Sequence, residues 1–510
     1  MSSLATLSRN ISWNYIDAAV ALIVYLVLTP VIVNYLGVTG FGIWVLINAI
    51  LYYLQFLDLG FYGALVKYIA EFGERGDWPR VNGLIQTTIS VLILAGVVAL
   101  SLSAVVAVWI VPSFFNVPPD RVAEFQLAVL LIGFQLLVGF PGSVLSAIYH
   151  GCQRFDVLSG FSVLSRVVIA IGTLSVLHLG YGVVGLVAVQ ILWRLVHAGI
   201  FVMLLPRLVP EARLGLGPVW GEHYRQIRAY SGWSSLNELI DEGGSQLETL
   251  LIPLLLSVSL VTPYTLVCAV AAGIFLAIEP ITETFLPMSS VYDARDDKPQ
   301  LRSLLLRGSK LVMAISLPLA VAVTAYGEPF IHLWIGEETV EIPSGVMPLV
   351  VASFTTTAFV MTGAIILLAM ARVRELFWMS VSEMILVLVL VLNLVPRTGL
   401  PGLAGSLFIA NFAMTFLVTV PFVCKQLNQS MVAYVWISLL RPLLAAVPAF
   451  VAVLLLDRVL DSVSILALII KSAVVGLSFL AVFWGVSVSS EERELVLSSA
   501  RELWRRWRPA

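Results

Sequence analysis

Apolar residues in this chain do not alternate with polar ones. They run on for whole helix lengths, and polar residues collect in short clusters between the runs. About 20 mainly apolar residues carry a helix across the hydrocarbon core of a bilayer. Cutting the sequence where Pro, Gly and charge cluster leaves runs at 11–37, 40–66, 81–111, 122–149, 159–178, 183–205, 227–256, 263–291, 304–327, 344–370, 376–396, 402–424, 437–457 and 463–488, which predict about fourteen spanning helices. Continuous runs exclude a closed barrel, whose strands alternate with period two. The turns at 38–39 and 179–182 are so short that the helices they join must be antiparallel neighbours. The first run, 11–36, is too long for the apolar core of a signal peptide and has no small-residue cleavage site after it, so it is expected to stay as the first helix. Neither end carries a lipidation or retention motif.

Composition agrees. Of 510 residues, 59% are hydrophobic and only 12% charged, against about 25% charged in a soluble domain. So few charges do not cover a water-facing surface, so most of the exterior must meet lipid. A net charge of −2 gives no reason to expect a nucleic-acid partner. Cys152, Cys268 and Cys424 have neither metal-ligand spacing nor close partners, so no zinc site or disulfide framework is readable.

Charge then gives direction. With the N-terminus inside, most of the 29 Lys and Arg fall at cytoplasmic loops, helix ends or tails, while Arg121, Arg397 and Arg458 lie outside. Lys471 is ambiguous, and Arg166 and Arg194 lie within runs. Both termini are expected in the cytoplasm, at the inner membrane of the cell. The tail, 491–507, places Leu497, Ala500, Trp504 and Trp507 on one helical face beside Arg501, Arg505 and Arg508. That pattern suits either an amphipathic helix on an anionic leaflet or a disordered basic tail.

The chain also repeats itself. Thr29-Pro30, Val38-Thr39 and Phe41 match Ile252-Pro253, Val261-Thr262 and Tyr264 at an offset of 223, and Arg75-x-Asp77-x-Pro79 matches Arg295-x-Asp297-x-Pro299 at an offset of 220. The implied unit is six helices. Six being even, the copies share an orientation and are related by an axis along the membrane normal. The expected layout is a six-helix lobe at 1–205, a linker rich in Pro and Gly at 206–226, a second lobe at 227–424, two extra helices at 425–488 and the basic tail at 489–510.

The stretch Tyr35-Leu36-Gly37-x-x-Gly40-Phe41-Gly42, then Leu57-Asp58-Leu59-Gly60 and Tyr68-Ile69-Ala70-Glu71, resembles the opening of polysaccharide-export flippases. These belong to the multidrug/oligosaccharidyl-lipid/polysaccharide superfamily, which includes the Wzx-type O-antigen flippases. Phe285-Leu286-Pro287-Met288-Ser289, the charged turn at 293–298, Pro318 and Pro329-x-x-x-Leu333-Trp334-x-Gly336 extend the likeness over nearly the whole chain. The resemblance implies two six-helix bundles in a V around a cavity, alternating access, and an undecaprenyl-diphosphate-linked oligosaccharide as cargo. By the same resemblance to MurJ-type lipid flippases, the last two helices form a lipid-binding groove. Relatives often carry an Asp in helix seven where this chain has Glu248.

Three groups of polar residues fall inside the spans, where a bare charge costs about 2.5–3.5 kcal/mol on insertion scales. The first is cationic: Arg166, Arg194 and His197, the last two sharing a helical face. Arg presents a planar fork suited to a diphosphate; the structural alternative is pairing with Asp17 or Asp58, or Arg166 snorkelling to the interface. The second is acidic: Glu238, Asp241, Glu242, Glu248, Glu279 and Glu283. Crowded carboxylates suit H+ or Na+ coupling or sugar hydroxyls, whereas Glu238, Asp241 and Glu242 equally suit a wetted inner rim. The third is Asn14, Asp17 and Asp58, which serve either as structural polar contacts or as cavity lining.

No cofactor or metal is implied beyond possible ion coupling. No Walker-type loop, Gly-x-Ser-x-Gly or His-Glu-x-x-His motif occurs, so neither ATP hydrolysis nor a hydrolytic enzyme is indicated. A cation-coupled drug antiporter of the same superfamily normally has twelve helices. A membrane polysaccharide polymerase would need a large outer loop, and 327–343 is short. The expected partners are lipid-linked oligosaccharide, membrane lipid and possible polymerase or export proteins, with the chain a monomer.

Overall fold

The computed structural model describes the chain except residues 1, 59, 337–339, 461–463, 491 and 495–510, and leaves the side chains of 2–19, 156, 229–242, 245 and 459 undescribed. The described residues form helices and no strand. Twelve helices among them are long and apolar enough to cross a membrane. Two of the expected fourteen runs account for the difference. The break expected near 38–39 is a kink inside one helical run, α1 (Ser2–Gln55), at Gly37 with φ 70° and ψ 171°. Only glycine adopts that φ without strain, and the apolar part, Val20–Asp58, is 39 residues long, about twice what one crossing needs. The run expected at 227–256 lies within a helix whose side chains are partly outside the described set.

The chain divides into two compact units, Met1–Pro263 with Ile335–Val340, and Tyr264–Trp334 with Glu341–Ala510. In the first, α1 is followed by α2 (Phe61–Glu74), α3 (Trp78–Val105), α4 (Val122–Gly151), α5 (Phe155–His178), α6 (Gly182–Leu208) and α7 (Glu222–Leu255). α4 packs between α3 and α6, and Phe61, Phe125, Tyr149 and Phe201 are fully buried. The Tyr149 hydroxyl donates to the Phe201 carbonyl at 2.7 Å, which satisfies the one polar atom such a ring brings into a core.

The second unit contains α8 (Val261–Ala271), α9 (Gly273–Thr282), α10 (Phe285–Ala294), α11 (Lys298–Ile335), α12 (Val346–Ala369), α13 (Val373–Thr398), α14 (Leu400–Met414), α15 (Val420–Gln426), α16 (Met431–Val435), α17 (Arg441–Val459) and α18 (Ile465–Val486). α11 exceeds the run expected at 304–327 at both ends: its first turn is polar and escapes hydropathy, and Gly327-Glu328-Pro329, where the run was cut, lies inside the helix. The loop expected at 327–343 therefore starts only after Ile335. The two C-terminal helices belong to the core of this unit: Val453 of α17 and Phe479 of α18 are buried with Phe359 and Leu305. Ser438 donates to the Leu306 carbonyl at 3.0 Å, and Ser309 meets the Tyr434 hydroxyl at 2.9 Å.

The repeated sequence folds into the same turn twice. In each copy a 6→1 bond closes the helix end, Asp77 N to Phe72 O and Asp297 N to Tyr292 O, both at 2.9 Å. Gly76 and Asp296 both have positive φ. Asp77 then accepts from the Arg80 amide and Asp297 from the Gln300 amide, at 3.3 and 3.2 Å. This is a helix C-cap joined to an Asp N-cap. Thr262, matched to Thr39 in the repeat, donates to the Val38 carbonyl at 2.6 Å.

Candidate functional site

Three helices of the first unit line an open cavity of about 220 Å³. α2 supplies Tyr62, α4 supplies Gly139, Ser143 and Ser146, and α6 supplies Arg194 and His197. Spacings of three and four put each set on one helical face. The small residues on α4 leave room for a large side chain opposite: a Cβ on Gly139 would stand 2.9 Å from Arg194 Nη1.

The walls hold these groups in place. His197 packs edge-on to Phe201 at 4.1 Å between centroids, tilted on Phe161 at 5.6 Å and parallel to Trp193 at 6.4 Å. The Trp193 ring N–H donates to Ser165 Oγ at 2.8 Å. Tyr62 Oη lies 3.1 Å from His150 Nδ1, and Ser143 donates to the Phe140 carbonyl at 2.7 Å, leaving its oxygen free to accept. Arg194 itself is half-buried and has no hydrogen-bond or ion-pair partner among the described residues. A guanidinium has five N–H donors and no acceptor, and with no carboxylate bonded to it among the described residues its donors are able to meet an anion.

The other residues singled out in the sequence do not join this site. Arg166 is half-buried on α5, outside the cavity lining, and makes its own contacts. Asp58 accepts from the Gly60 amide at 2.8 Å and shapes the turn before α2. Glu248 is half-buried on α7. Glu279 and Glu283 lie in the second unit, one turn apart and exposed, with no ion-pair partner among the described residues. The side chains of Asn14, Asp17, Glu238, Asp241 and Glu242 lie outside the described set.

The sequence reading passed over several groups. Tyr62, Ser143 and Ser146 are ordinary residues in apolar runs and become a site only when α2, α4 and α6 pack. Glu383, half-buried in α13, has no partner among the described residues; a lone acid inside the run at 376–396 was its signal. Two buried lysines are paired: Lys310 with Glu492 and Lys471 with Asp457. The second unit also holds an apolar cavity of about 600 Å³, walled by Phe408, Phe412, Phe416 and Phe450, with Asp457 at its edge.

This helical fold has solved counterparts among membrane transport proteins. It is similar to lipid II flippase MurJ in an inward closed conformation, at a TM-score of 0.69 with 11% identity, over 94% of this chain and 100% of that one. It is also similar to an inward-facing multidrug resistance MATE transporter, at 0.58 with 15% identity, over 79% and 94%. Residues 31–342 match the polysaccharide biosynthesis protein family, and the chain belongs to it. Its relatives include a putative O-antigen transporter of Shigella flexneri, 19% identical over 78% of this chain and 93% of that protein, and the uncharacterized membrane protein EpsK of Bacillus subtilis, 20% identical over 61% of each.

Proposed function

We propose that this transporter flips an undecaprenyl-diphosphate-linked oligosaccharide from the cytoplasmic to the outer leaflet of the inner membrane, by alternating access of two lobes, for cell-surface polysaccharide assembly. The observation that carries this reading is Arg194, without a partner among the described residues, in its hydroxyl-lined cavity. An uncompensated charge in a low-dielectric wall is costly, and a diphosphate supplies the missing counter-charge through two parallel N–H···O bonds. Tyr62, Ser143 and Ser146 offer hydroxyls to the remaining phosphate or first-sugar oxygens. A cationic drug, the cargo of the rival reading, is repelled by the same guanidinium. The apolar cavity of the second unit suits the polyprenyl tail. Glu248, Glu279 and Glu283 serve as carboxylates for H+ or Na+ coupling.

The test is flipping of lipid-linked sugar in proteoliposomes by Arg194→Lys and Arg194→Ala, with protein level and thermal stability matched. Charge-assisted hydrogen bonds contribute about 1.5–3 kcal/mol each, so the alanine variant is expected to lose about ten- to a hundred-fold in flipping. The lysine variant, which keeps the charge without the fork, should fall between. Wild-type flipping in both would remove Arg194 from the reaction. Unchanged flipping across pH in Glu248→Gln and Glu279→Gln would do the same for the coupling role.

A further inference from the structure

Between α6 and α7 the chain runs as an extended strap along the start of α3. Arg213 N donates to Asn82 Oδ1 at 2.8 Å, and Asn82 Nδ2 donates to the Glu211 carbonyl at 3.0 Å. Gly217 N donates to the Gln86 carbonyl and to Ser90 Oγ at 3.1 and 3.0 Å. From Leu214 onward the side chains alternate with the period of an extended backbone. Gly215, Gly217 and Val219 face inward, and Leu214, Leu216, Pro218 and Trp220 face out. Gly217 is required by closeness, since a Cβ there would stand 2.7 Å from the Thr87 amide nitrogen, whereas at Gly215 it would make an ordinary contact, 3.4 Å from Gln86 Nε2.

That alternation is inverted relative to a loop in water. Its outward row is wholly apolar, with Leu216 74% and Trp220 75% exposed. Near the end of α6, Met203 is also 77% exposed. Exposed Arg207, Arg213, Arg225 and Arg228 flank the row and outnumber the two exposed acids there, Glu211 and Glu222. Pro210 and Pro218 bring no N–H that would need water. An apolar row edged by cations matches the boundary between acyl chains and anionic headgroups.

We propose that residues 212–220 are a membrane-surface contact, in which Leu214, Leu216, Pro218 and Trp220 enter the interfacial layer of an anionic leaflet while Arg213 and Arg225 sit at its phosphates. The connection between the two repeats is thereby held both to α3 and to the bilayer. The test uses the full chain with Cys152, Cys268 and Cys424 replaced by Ser and a nitroxide at Leu214→Cys or Leu216→Cys, in nanodiscs of phosphatidylcholine with phosphatidylglycerol. Leu477→Cys on the exposed face of α18 gives the lipid reference, and Arg295→Cys at the charged turn gives the water reference. Both strap labels are expected to collide with oxygen severalfold more than with a water-soluble nickel complex, as at Leu477. Nickel access like that at Arg295 would overturn the proposal and leave the apolar row to a soluble protein partner. With Arg213→Gln and Arg225→Gln together, the label should become at least twofold more accessible to nickel; no change would overturn the role given to the arginines.

Discussion

Arg194 in the first unit and the lysines Lys310 and Lys471 in the second are all cations placed within membrane-spanning helices, and they are treated in opposite ways. Lys310 is 8% exposed and meets both carboxylate oxygens of Glu492 at 2.6 and 2.5 Å, with the Ser487 carbonyl at 3.2 Å. Lys471, 6% exposed, meets Asp457 at 2.9 Å and lies over the Tyr326 ring. Arg194 has no such partner among the described residues, but has a cavity in front of it. A cation whose counter-charge comes from the protein holds the fold together. One with no protein counter-charge among the described residues is the one we propose for the cargo's anion. The comparison breaks if the two kinds of residue respond alike to mutation.

The largest expected effect is on the paired side. Breaking a buried ion pair by removing one partner costs about 3–5 kcal/mol. Glu492 keeps some exposure, so Lys310→Met is expected to destabilise the protein by about 3 kcal/mol. Lys310→Met with Glu492→Leu should recover most of it, since no charge is then stranded. Thermal unfolding of the two single variants and the double variant in detergent measures the coupling. A double variant no better than Lys310→Met would mean the pair is not what holds the tail root.

Arg194→Met should do the reverse. Removing an uncompensated charge leaves stability unchanged or raises it by about 1 kcal/mol, while flipping falls about ten- to a hundred-fold. If Arg194→Met melts the protein as Lys310→Met does, Arg194 has a protein partner, and the contrast between the units is lost.

The pair at the tail root also predicts a pH response. Burial alone would raise the Glu492 carboxyl; hydrogen bonds from Lys310 and the Ser489 amide, with the ammonium charge, more than offset that and hold it below its ordinary value. A carboxylate whose folded pKa lies below its unfolded one adds stability that is fully present above the unfolded value, about 4.3, and is lost as pH falls through the folded value. Stability measured from pH 7 downward should therefore drop through this acid range in the wild type and stay flatter in Glu492→Gln. Parallel curves would exclude Glu492 as the titrating group.

What the sequence made legible follows from what each feature depends on. Helices and turns are local: apolar runs placed most spans within a few residues, and Arg75-x-Asp77-x-Pro79 and its repeat each carry their own cap. Arg194 and His197 were legible because they are anomalous in an apolar run. Their surroundings were not, since Tyr62 and Ser146 are ordinary polar residues on other helices and are unremarkable until packed. Lys310 looked like one more cation near a cytoplasmic end, because its partner, Glu492, lies 182 residues away. Ser489 and Glu492 do spell a capping box in sequence, and the structure bonds them reciprocally at 3.3 and 2.9 Å. The second use of Glu492 could be seen only once α18 had brought it to α11.

The smallest effect tests the cavity most closely. Gly139 and Gly142 both lie on α4 and both line the cavity. Replacing either by Ala should stabilise the helix by up to about 1 kcal/mol. The added methyl groups meet different neighbours. At Gly142 it would lie 3.9 Å from Ala198 Cβ, an ordinary contact, whereas at Gly139 it would lie 2.9 Å from Arg194 Nη1 and 3.8 Å from Cδ and Cζ. The end of a long side chain moves aside at little cost, so Gly139→Ala should fold as well as Gly142→Ala. Yet the guanidinium has to leave its present position, and an anion site depends on where its donors point. Flipping is expected to fall severalfold in Gly139→Ala and to hold in Gly142→Ala, with equal melting temperatures. Equal flipping in the two would show that the position of Arg194, as distinct from its charge, does not matter to transport.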